Sequence, residues 1–301
     1  MTTVPLTRRR RGRLVWRNTV LGWSFLLPNF AGFAALTLLP VGLLFYYAFT
    51  SWDVFGGATW TGAENFRLLL HDASFWTALR NTVYYTVFHI PLTLAAALGL
   101  ALLLNRRLRG VAFFRTVAFF PYITSIVAIA QVWNMLFSPG YGPINAILRA
   151  VGVAHPPGWT TSADWSMPAV IVVGTWREMG YYMLLFLAGL QTIPAQLYEA
   201  ARVDGANAWQ QFRAVTLPGL RPTTFFVTVM LTIGSFKVFD LILVMTNGGP
   251  GQSTLVLSQY IYQKGFTENQ FGYASAVSVV LFALCLVVTA VQFLVNKRRS
   301  A

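Results

Sequence analysis

The chain has 301 residues, of which 56% are hydrophobic and only 10% are charged, and its formal net charge is +13. Soluble globular domains carry about 25% charged residues, so this composition excludes an ordinary soluble globule and indicates a membrane protein. A basic excess is also typical of nucleic-acid-binding proteins, but the positions of the basic residues along this chain argue against a nucleic-acid partner.

Six apolar runs are each long enough to cross the hydrocarbon core, which takes about 20 helical residues. They predict spans over about residues 20–50, 76–104, 111–137, 168–192, 215–246 and 273–296. Lipid leaves every backbone donor in need of an internal partner, and no alternating strand pattern indicates a barrel, so we predict an all-α membrane protein with six transmembrane helices. The first run contains Pro28 and Pro40 and is expected to tilt, kink or begin as an interfacial segment. It is longer than a signal-peptide core of about 7–15 residues, which favours an uncleaved span.

Basic residues alternate between the segments that separate these runs. Clusters precede the first run and follow the second, fourth and sixth runs: Arg8, Arg9, Arg10, Arg11, Arg13 and Arg17; Arg106, Arg107 and Arg109; Arg202, Arg213 and Arg221; and Lys297, Arg298 and Arg299. The loops at 51–75, 138–167 and 247–272 are poor in positive charge and are expected to form short ordered caps outside the membrane. This positive-inside pattern predicts cytoplasmic N- and C-termini, with the basic residues near anionic membrane lipid.

The predicted domain organisation follows from these runs. Residues 1–19 form a basic cytoplasmic segment, residues 20–296 a single six-span domain, and residues 297–301 a basic cytoplasmic tail. The single cysteine, Cys285, excludes a disulfide or a cysteine-based metal site within one chain. His71, His89 and His155 are scattered without metal-ligand spacing, so they are interpreted as structural, and no metal or cofactor is expected.

A polar stretch, YEAARVDGANAWQQFRAVTLPG, separates the fourth and fifth runs at residues 198–219. Pro194 can open a short helix at its first turn, and Gly205 can supply the left-handed residue that ends it. A second short helix is expected to place Trp209, Phe212 and Val215 on one side. Pro218 then marks re-entry into the next span.

Helices this short are marginal alone in water, so we expect another protein surface to hold them. Ala200 and Ala201 allow a close approach, and the Glu199 carboxylate is suited to a charge-assisted bond with an arginine. A cytoplasmic partner with a groove would fit this segment.

The same stretch resembles the loop of binding-protein-dependent ABC importer permeases, whose pattern is EAA, three residues, Gly, nine residues, Ile, any residue and Leu-Pro. Here the pattern reads Glu199-Ala200-Ala201, Gly205 and Leu217-Pro218, with Val215 in place of Ile. Three further stretches are similar to the carbohydrate branch, the maltose and glycerol-phosphate type: NRRLRGVAFFRTVAFFPYITS at 105–125, FSPGYGPINAIL at 137–148 and FDLILVMTNGGPGQSTLVLSQYIYQKGF at 239–266.

The resemblance implies a multi-pass permease subunit of the cell membrane that imports a sugar. Its implied partners are a second, non-identical permease, two copies of an ABC ATPase subunit, and an extracytoplasmic solute-binding protein that delivers the sugar. The residues implied to couple to the ATPase are Glu199, Ala200, Ala201, Gly205, Leu217 and Pro218. No ATP hydrolysis is expected in this chain, because it has no G-x-x-x-x-G-K-[ST] loop and GGPGQST at 248–254 lacks the lysine.

Polar side chains inside the apolar runs are candidates for the translocation path, since a charge at the membrane centre costs about 2.5–3.5 kcal/mol on insertion scales. Lys237 and Asp240 are three residues apart, and two interpretations stay open: they neutralise each other on one helical face, or they line the path and bond sugar hydroxyls. Gln131 and Asn134 either join neighbouring helices or line the path beside Trp133, which could stack on a sugar ring.

Arg177 and Glu178 are adjacent, so their side chains are expected to diverge by about 100° and not to face each other. They suit a path lining or a helix contact better than catalysis, and no catalytic residues are predicted. An alternative class is the ion-coupled secondary transporter, for which inverted repeats and paired broken helices would be expected. Neither feature is visible in the sequence.

Overall fold

The computed structural model describes residues 8–52, 56–105 and 110–300. Arg106, Arg107 and Arg109, predicted to lie at the cytoplasmic surface, fall outside the described residues, and so do the side chains of Arg8, Arg9, Arg10, Arg11, Arg13, Arg17 and Arg299. The described part is built mainly of helices, which confirms the predicted all-α class.

The elements follow one another along the chain with short connections. The helices are α1 Arg8–Phe33, α2 Leu39–Ala48, α3 Glu64–Leu70, α4 Ala73–Leu104, α5 Val111–Ile123, α6 Ile126–Leu136, α7 Pro143–Ala150, α8 Ala163–Gln191, α9 Ala195–Val203, α10 Ala208–Gln211, α11 Leu217–Gly219, α12 Arg221–Phe236, α13 Asp240–Met245, α14 Leu257–Tyr262 and α15 Phe271–Ser300. Three π-helical segments adjoin them: Ala34–Leu38, Phe212–Thr216 and Gln263–Thr267. Two short strands, β1 Thr50–Ser51 and β2 Thr59–Trp60, pair antiparallel with Thr50 opposite Trp60.

Four stretches of the described residues are long and apolar enough to cross a membrane: Leu21–Ala48, Ala73–Leu104, Ala163–Gln191 and Phe271–Arg298. Two more runs are bent helix pairs, so the described residues hold between four and six spans. The pair α5–α6 is bent by 99°, and the helices over Ala208–Gly219 and Arg221–Phe236 are bent by 65°. The predicted third span is therefore broken in its middle.

The break between α5 and α6 has a local cause. Pro121 lies inside α5 and lacks a backbone N–H, which removes one helical hydrogen bond just before the helix ends. Thr124 and Ser125 then take extended conformations, with ψ of 150° and 125°. Hydropathy is continuous across these residues, so the sequence indicated one straight span.

Helix α8 is the centre of the fold, because apolar residues on most of its sides are buried. One core cluster surrounds Val170 and Val173, together with Tyr85 of α4 and Ile242 of α13. A second cluster surrounds Phe186, with residues of α4 and α12. Small residues permit the closest crossing: a Cβ added at Gly180 would lie 1.8 Å from the backbone oxygen of Ala118 in α5.

The described parts of the connections at 51–75 and 247–272 form an ordered cap over the ends of α4 and α15, and their position outside the membrane stays a prediction. Asp72 caps α4 by accepting hydrogen bonds from the amides of Ser74 and Phe75, and its carboxylate also accepts from the hydroxyls of Tyr260 and Tyr273. Burial alone raises the pKa of Asp72, but these hydrogen bonds outweigh burial and hold the pKa below its ordinary value. The carboxylate thus fastens α14 and α15 to the beginning of α4.

The first span, Leu21–Ala48, makes much less contact with the rest of the chain. Its most apolar stretch contains no buried residue. It is attached at one end, where Phe45 meets Phe282 of α15 edge to face, with ring centroids 6.1 Å apart. Nearby, the amide of Gly272 donates a hydrogen bond of 3.3 Å to the backbone oxygen of Trp52.

Candidate functional site

Helices α9 and α10 form the short bent helical pair that the sequence predicted after α8. Gly205 has a φ of +78°, so it takes the predicted left-handed conformation. The amide of Ala206 donates to the oxygen of Ala201, and that of Gly205 to Arg202, which satisfies the last carbonyls of α9. One detail of the prediction was wrong: Pro194 precedes the first turn as the N-cap of α9, with an extended ψ of 130°.

A capping box that the sequence reasoning missed begins α10. The side chain of Asn207 accepts from the amide of Gln210, and the side chain of Gln210 accepts from the amide of Asn207, at 2.9 and 2.7 Å. The spacing N-x-x-Q was the available signal. These reciprocal bonds fix the bend between the two helices.

One side of the bent pair is anchored to the membrane-spanning helices. Tyr198 hydrogen-bonds Thr216 across 3.0 Å, and both Tyr198 and Val215 pack against the core cluster around Leu190 and Leu220. The chain itself therefore supports these short helices, whereas the sequence alone assigned all of that support to a partner. Val215 does not share a side with Trp209, which is 67% exposed and stacks on Phe212.

The other side of the bent pair is exposed. Glu199 and Ala200 lie on the surface with Val203, which is 88% exposed, while Ala201 is half-buried. Leu217 is exposed and Pro218 half-buried at the end of the segment, directly before the 65° bend into α12. Gly205, which forms the turn between the helices, is exposed as well. Hence all six predicted loop residues, Glu199, Ala200, Ala201, Gly205, Leu217 and Pro218, keep accessible surface.

A polar cavity of about 150 Å³ lies among α4, α6, α8, α12 and α13. Four charged residues line it: Arg177, Glu178, Lys237 and Asp240. Tyr85, His89, Ser235 and Phe239 also line the cavity. Lys237 and Asp240 were predicted for a path, and a path lining was one of two roles considered for Arg177 and Glu178. His89 was interpreted as structural.

Arg177 and Glu178 do contact each other, so the expectation of diverging side chains was wrong. Nη1 of Arg177 lies 3.8 Å from Oε1 of Glu178, and Oε2 of the same carboxylate lies 3.8 Å from Nε2 of His89. Long side chains can turn towards each other even when their Cα–Cβ bonds diverge. The guanidinium also lies 5.4 Å from the ring centre of Tyr122, whose backbone oxygen it reaches at 3.5 Å.

Lys237 and Asp240 form no ion pair within 4.0 Å, as judged from the ion pairs of the described residues, so mutual neutralisation through direct contact is not supported. The prediction assumed one continuous helix, but α12 ends at Phe236 and α13 begins at Asp240. Phe239 between them has φ −141° and ψ −65°, which are not helical angles. Both charged side chains are exposed at the cavity, and their role in a path stays a prediction.

Gln131 and Asn134 take different roles in α6. Gln131 is exposed, whereas Asn134 is half-buried and donates a 3.3 Å hydrogen bond to the backbone oxygen of Val244 in α13. Trp133 packs edge to face on Trp176, with ring centres 5.4 Å apart. Asn134 thus joins two helices, the first of its two proposed roles, and Trp133 belongs to the aromatic core.

His89 is the functional candidate that sequence reasoning missed. It is 1% exposed, stacks on Tyr85 at 4.8 Å, and its Nδ1 lies 3.1 Å from the hydroxyl of Ser235. Its Nε2 is buried without a hydrogen-bond partner at the cavity. No sequence spacing marks this contact, because Ser235 is 146 residues away. Among the described residues there is no cluster of three or more ligands that could hold a metal.

Helices long and apolar enough to cross a membrane surround a polar cavity, which is the arrangement expected of a membrane permease. The comparison with known families agrees. The chain belongs to the family described as "Binding-protein-dependent transport system inner membrane component", which matches residues 89–301. It is accordingly a component of the inner membrane and a permease of the binding-protein-dependent type.

Relatives match nearly the whole chain. The probable ABC transporter permease protein YesP of Bacillus subtilis is 37% identical over 291 residues, covering 94% of this chain and 93% of the relative. The lactose transport system permease protein LacF of Rhizobium radiobacter is 37% identical over 287 residues, covering 93% and 95%. A chain of the crystal structure of a bacterial ABC transporter involved in import of the acidic polysaccharide alginate is 26% identical, with a TM-score of 0.83 and coverage of 96% and 99%.

Proposed function

We propose that this chain forms the translocation path of a sugar importer and is coupled to a separate ATPase through the bent helical pair α9–α10. The observation that carries the proposal is the two-sided character of this pair. Its back is anchored to the membrane core through Tyr198 and Val215, and its front presents Glu199 and Ala200. The residues of the coupling surface are Glu199, Ala200, Ala201, Gly205, Leu217 and Pro218.

The anchored side connects the coupling surface to the cavity. Thr216 and Leu220 lie directly before α12. The 16 residues of α12 span about 24 Å, and the helix ends at Phe236, one residue before Lys237. A displacement of the bent pair can therefore travel along one helix to the cavity wall. Coupling needs only a partner that grips the exposed side differently in its nucleotide states.

The path itself is assigned to the polar cavity and the surface beside it. Lys237 and Asp240 contribute exposed charges at the cavity, and Gln131 presents an exposed amide on α6. Asn134 positions α6 against α13 by its bond to Val244. A sugar is the proposed solute because hydroxyl groups bond to mixed donors and acceptors, and a relative with 37% identity carries a lactose-transport name.

The membrane arrangement belongs to the same proposal. Counting α5–α6 as one crossing and α12 as another, beside the four longer helices, gives six spans. The positive-inside rule then places both termini and the α9–α10 pair in the cytoplasm. The basic segments 1–19 and 297–301 then flank the six-span domain at 20–296. The proposed partners are a non-identical second permease, two copies of an ABC ATPase subunit and an extracytoplasmic solute-binding protein.

Charge reversal at Glu199 tests the coupling. Glu199→Arg in the assembled transporter is expected to reduce recovery of the ATPase subunit and ATP-dependent sugar uptake into vesicles by at least about 30-fold, since losing one partner of a buried charge contact costs about 2–5 kcal/mol. Glu199→Gln should have a smaller effect. Glu64→Arg makes the same charge change at an exposed site on α3 and serves as the control.

Equal ATPase recovery and equal uptake for Glu199→Arg and Glu64→Arg would contradict the proposed coupling surface. Sugar uptake driven by an ion gradient without ATP would instead support the alternative class, an ion-coupled secondary transporter. The comparisons give that class no support, because the matching family and both relatives described above are transport-system permeases.

A further inference from the structure

The cavity is lined by equal numbers of basic and acidic residues. Arg177 and Lys237 supply two cations, and Glu178 and Asp240 supply two anions. The whole chain has 22 basic and nine acidic residues, so a cavity lined by an average sample of its charges would be strongly basic. Two of the nine acidic residues of the chain lie in this cavity.

Arg177, the less exposed of the two basic residues, already has partners within the protein. The guanidinium of Arg177 has the Glu178 carboxylate at 3.8 Å, the backbone oxygen of Tyr122 at 3.5 Å and the Tyr122 ring face at 5.4 Å. Recognition of a carboxylate or phosphate by arginine needs a free planar fork of donors. Arg177 therefore offers an acidic solute little unless Glu178 moves away.

The remaining polar atoms suit hydroxyl groups. Nε2 of His89 and Nε of Arg177 are buried without hydrogen-bond partners, and both carboxylate contacts of Glu178 are 3.8 Å, longer than a hydrogen bond. A hydroxyl both donates and accepts, so one group can bridge such atoms. The carboxylate or phosphate group of an acidic sugar only accepts hydrogen bonds, and it would meet two carboxylates of the same sign.

From this arrangement we infer that the cavity selects uncharged sugars and disfavours sugar acids and sugar phosphates, with Glu178 and Asp240 as the specificity-determining residues. The inference rests on the proposed function, because it assumes that the cavity belongs to the path. It separates this chain from the transporter of an acidic polysaccharide that shares its fold.

Thiol chemistry measures the charge of the cavity directly. Gly234 lines the cavity and has no atom within 4 Å of an added Cβ, so Gly234→Cys places a thiol there without a clash. The single native cysteine is removed by Cys285→Ala. In the assembled transporter, the reaction rates are measured with methyl, sulfonatoethyl and trimethylammonioethyl methanethiosulfonate, which are neutral, anionic and cationic. Val238→Cys provides a second position on the cavity wall.

We expect the anion-to-cation rate ratio to lie within about threefold of that for a free thiol, because the nearby charges cancel. Glu178→Gln or Asp240→Asn should raise the ratio about tenfold, and Lys237→Met should lower it by a similar factor. Glu268→Gln removes a carboxylate that is paired with Lys264 in the outer cap, and it should leave the ratio unchanged.

A parent ratio that already favours the anion more than tenfold, or a ratio that Asp240→Asn does not alter at either cysteine position, would overturn the inference. The neutral reagent reports access, so a variant that misfolds is recognised by its rate with that reagent. The thiol rates require neither ATP nor uptake. A failed Glu199 experiment would therefore refute the coupling while leaving the charge balance to be decided by these rates.

Discussion

The crossing of α5 and α8 predicts a sharp response to one added methyl group. In Gly180→Ala the new Cβ would lie 1.8 Å from the backbone oxygen of Ala118 and 2.5 Å from its carbonyl carbon. These are backbone atoms, which cannot rotate away, so α5 has to retreat by about 1.6 Å to reach the ordinary contact distance of 3.4 Å. The retreat also separates the stacked rings of Tyr122 and Tyr181, whose centres are 4.4 Å apart.

The magnitude follows from these two losses. Overpacking costs about 1–3 kcal/mol, and loss of an aromatic pair costs about 0.5–1.5 kcal/mol. The higher helix propensity of alanine offsets up to about 1 kcal/mol of this destabilisation. We expect Gly180→Ala to lower the free energy of unfolding by about 1–3 kcal/mol, observed as a lower melting temperature of the detergent-purified transporter.

Gly99→Ala is the matched control, because it makes the same change inside α4 with no atom within 4 Å of the new Cβ. This variant should melt at the parent temperature or slightly above it. Equal melting temperatures for Gly180→Ala and Gly99→Ala would refute the close crossing of α5 and α8. Sugar uptake should fall with Gly180→Ala as well, since Tyr122 of α5 holds the guanidinium of Arg177 at the cavity.

Two further predictions concern the bent pair and the cap around Asp72. Gly205→Ala forces a side chain into a φ of +78°, so it should destabilise α9 by about 1–2 kcal/mol. Recovery of the ATPase should fall as well. Gly62→Ala, also at positive φ but in the connection before α3, should leave recovery unchanged. Asp72→Asn keeps the helix cap but loses the charge-assisted bonds from Tyr260 and Tyr273, and should lower thermal stability by about 1.5–3 kcal/mol. Because the folded pKa of Asp72 lies below 3.8, its stabilisation is complete above that pH and is lost as pH falls through the lower, folded value. Melting curves at pH 3 and pH 6 check this dependence, which should be smaller in Asp72→Asn; an equal dependence in that variant would contradict it.

The sequence was informative where a local rule decides the structure. The left-handed turn at Gly205 depends only on the missing Cβ, and the short helices on either side are bounded by recognisable residues. The capping box of Asn207 and Gln210 obeys an equally local rule and was available to the same reasoning. Apolar runs likewise indicated the spans, because hydrophobicity is read residue by residue.

Features that depend on packing between helices could not be predicted from the sequence pattern. Lys237 and Asp240 were spaced for a shared helical face, but the helix ends between them, and the apolar residues on both sides give no signal of that break. His89 reaches the cavity only because α4 crosses α8 and α12 there. The contact between Arg177 and Glu178 depends on rotamers that the cavity permits, which no spacing rule contains.

The attachment of the first span at one end has a consequence for how its sequence can change. Buried side chains of α8 pack against residues of several other helices, so each buried position accepts few side-chain sizes and shapes. Most side chains of Leu21–Ala48 are exposed, and hydrocarbon accommodates apolar groups of any shape. Substitution within Leu21–Ala48 is therefore restricted by the polarity of the new side chain rather than by its volume. The family match begins at residue 89, after this segment.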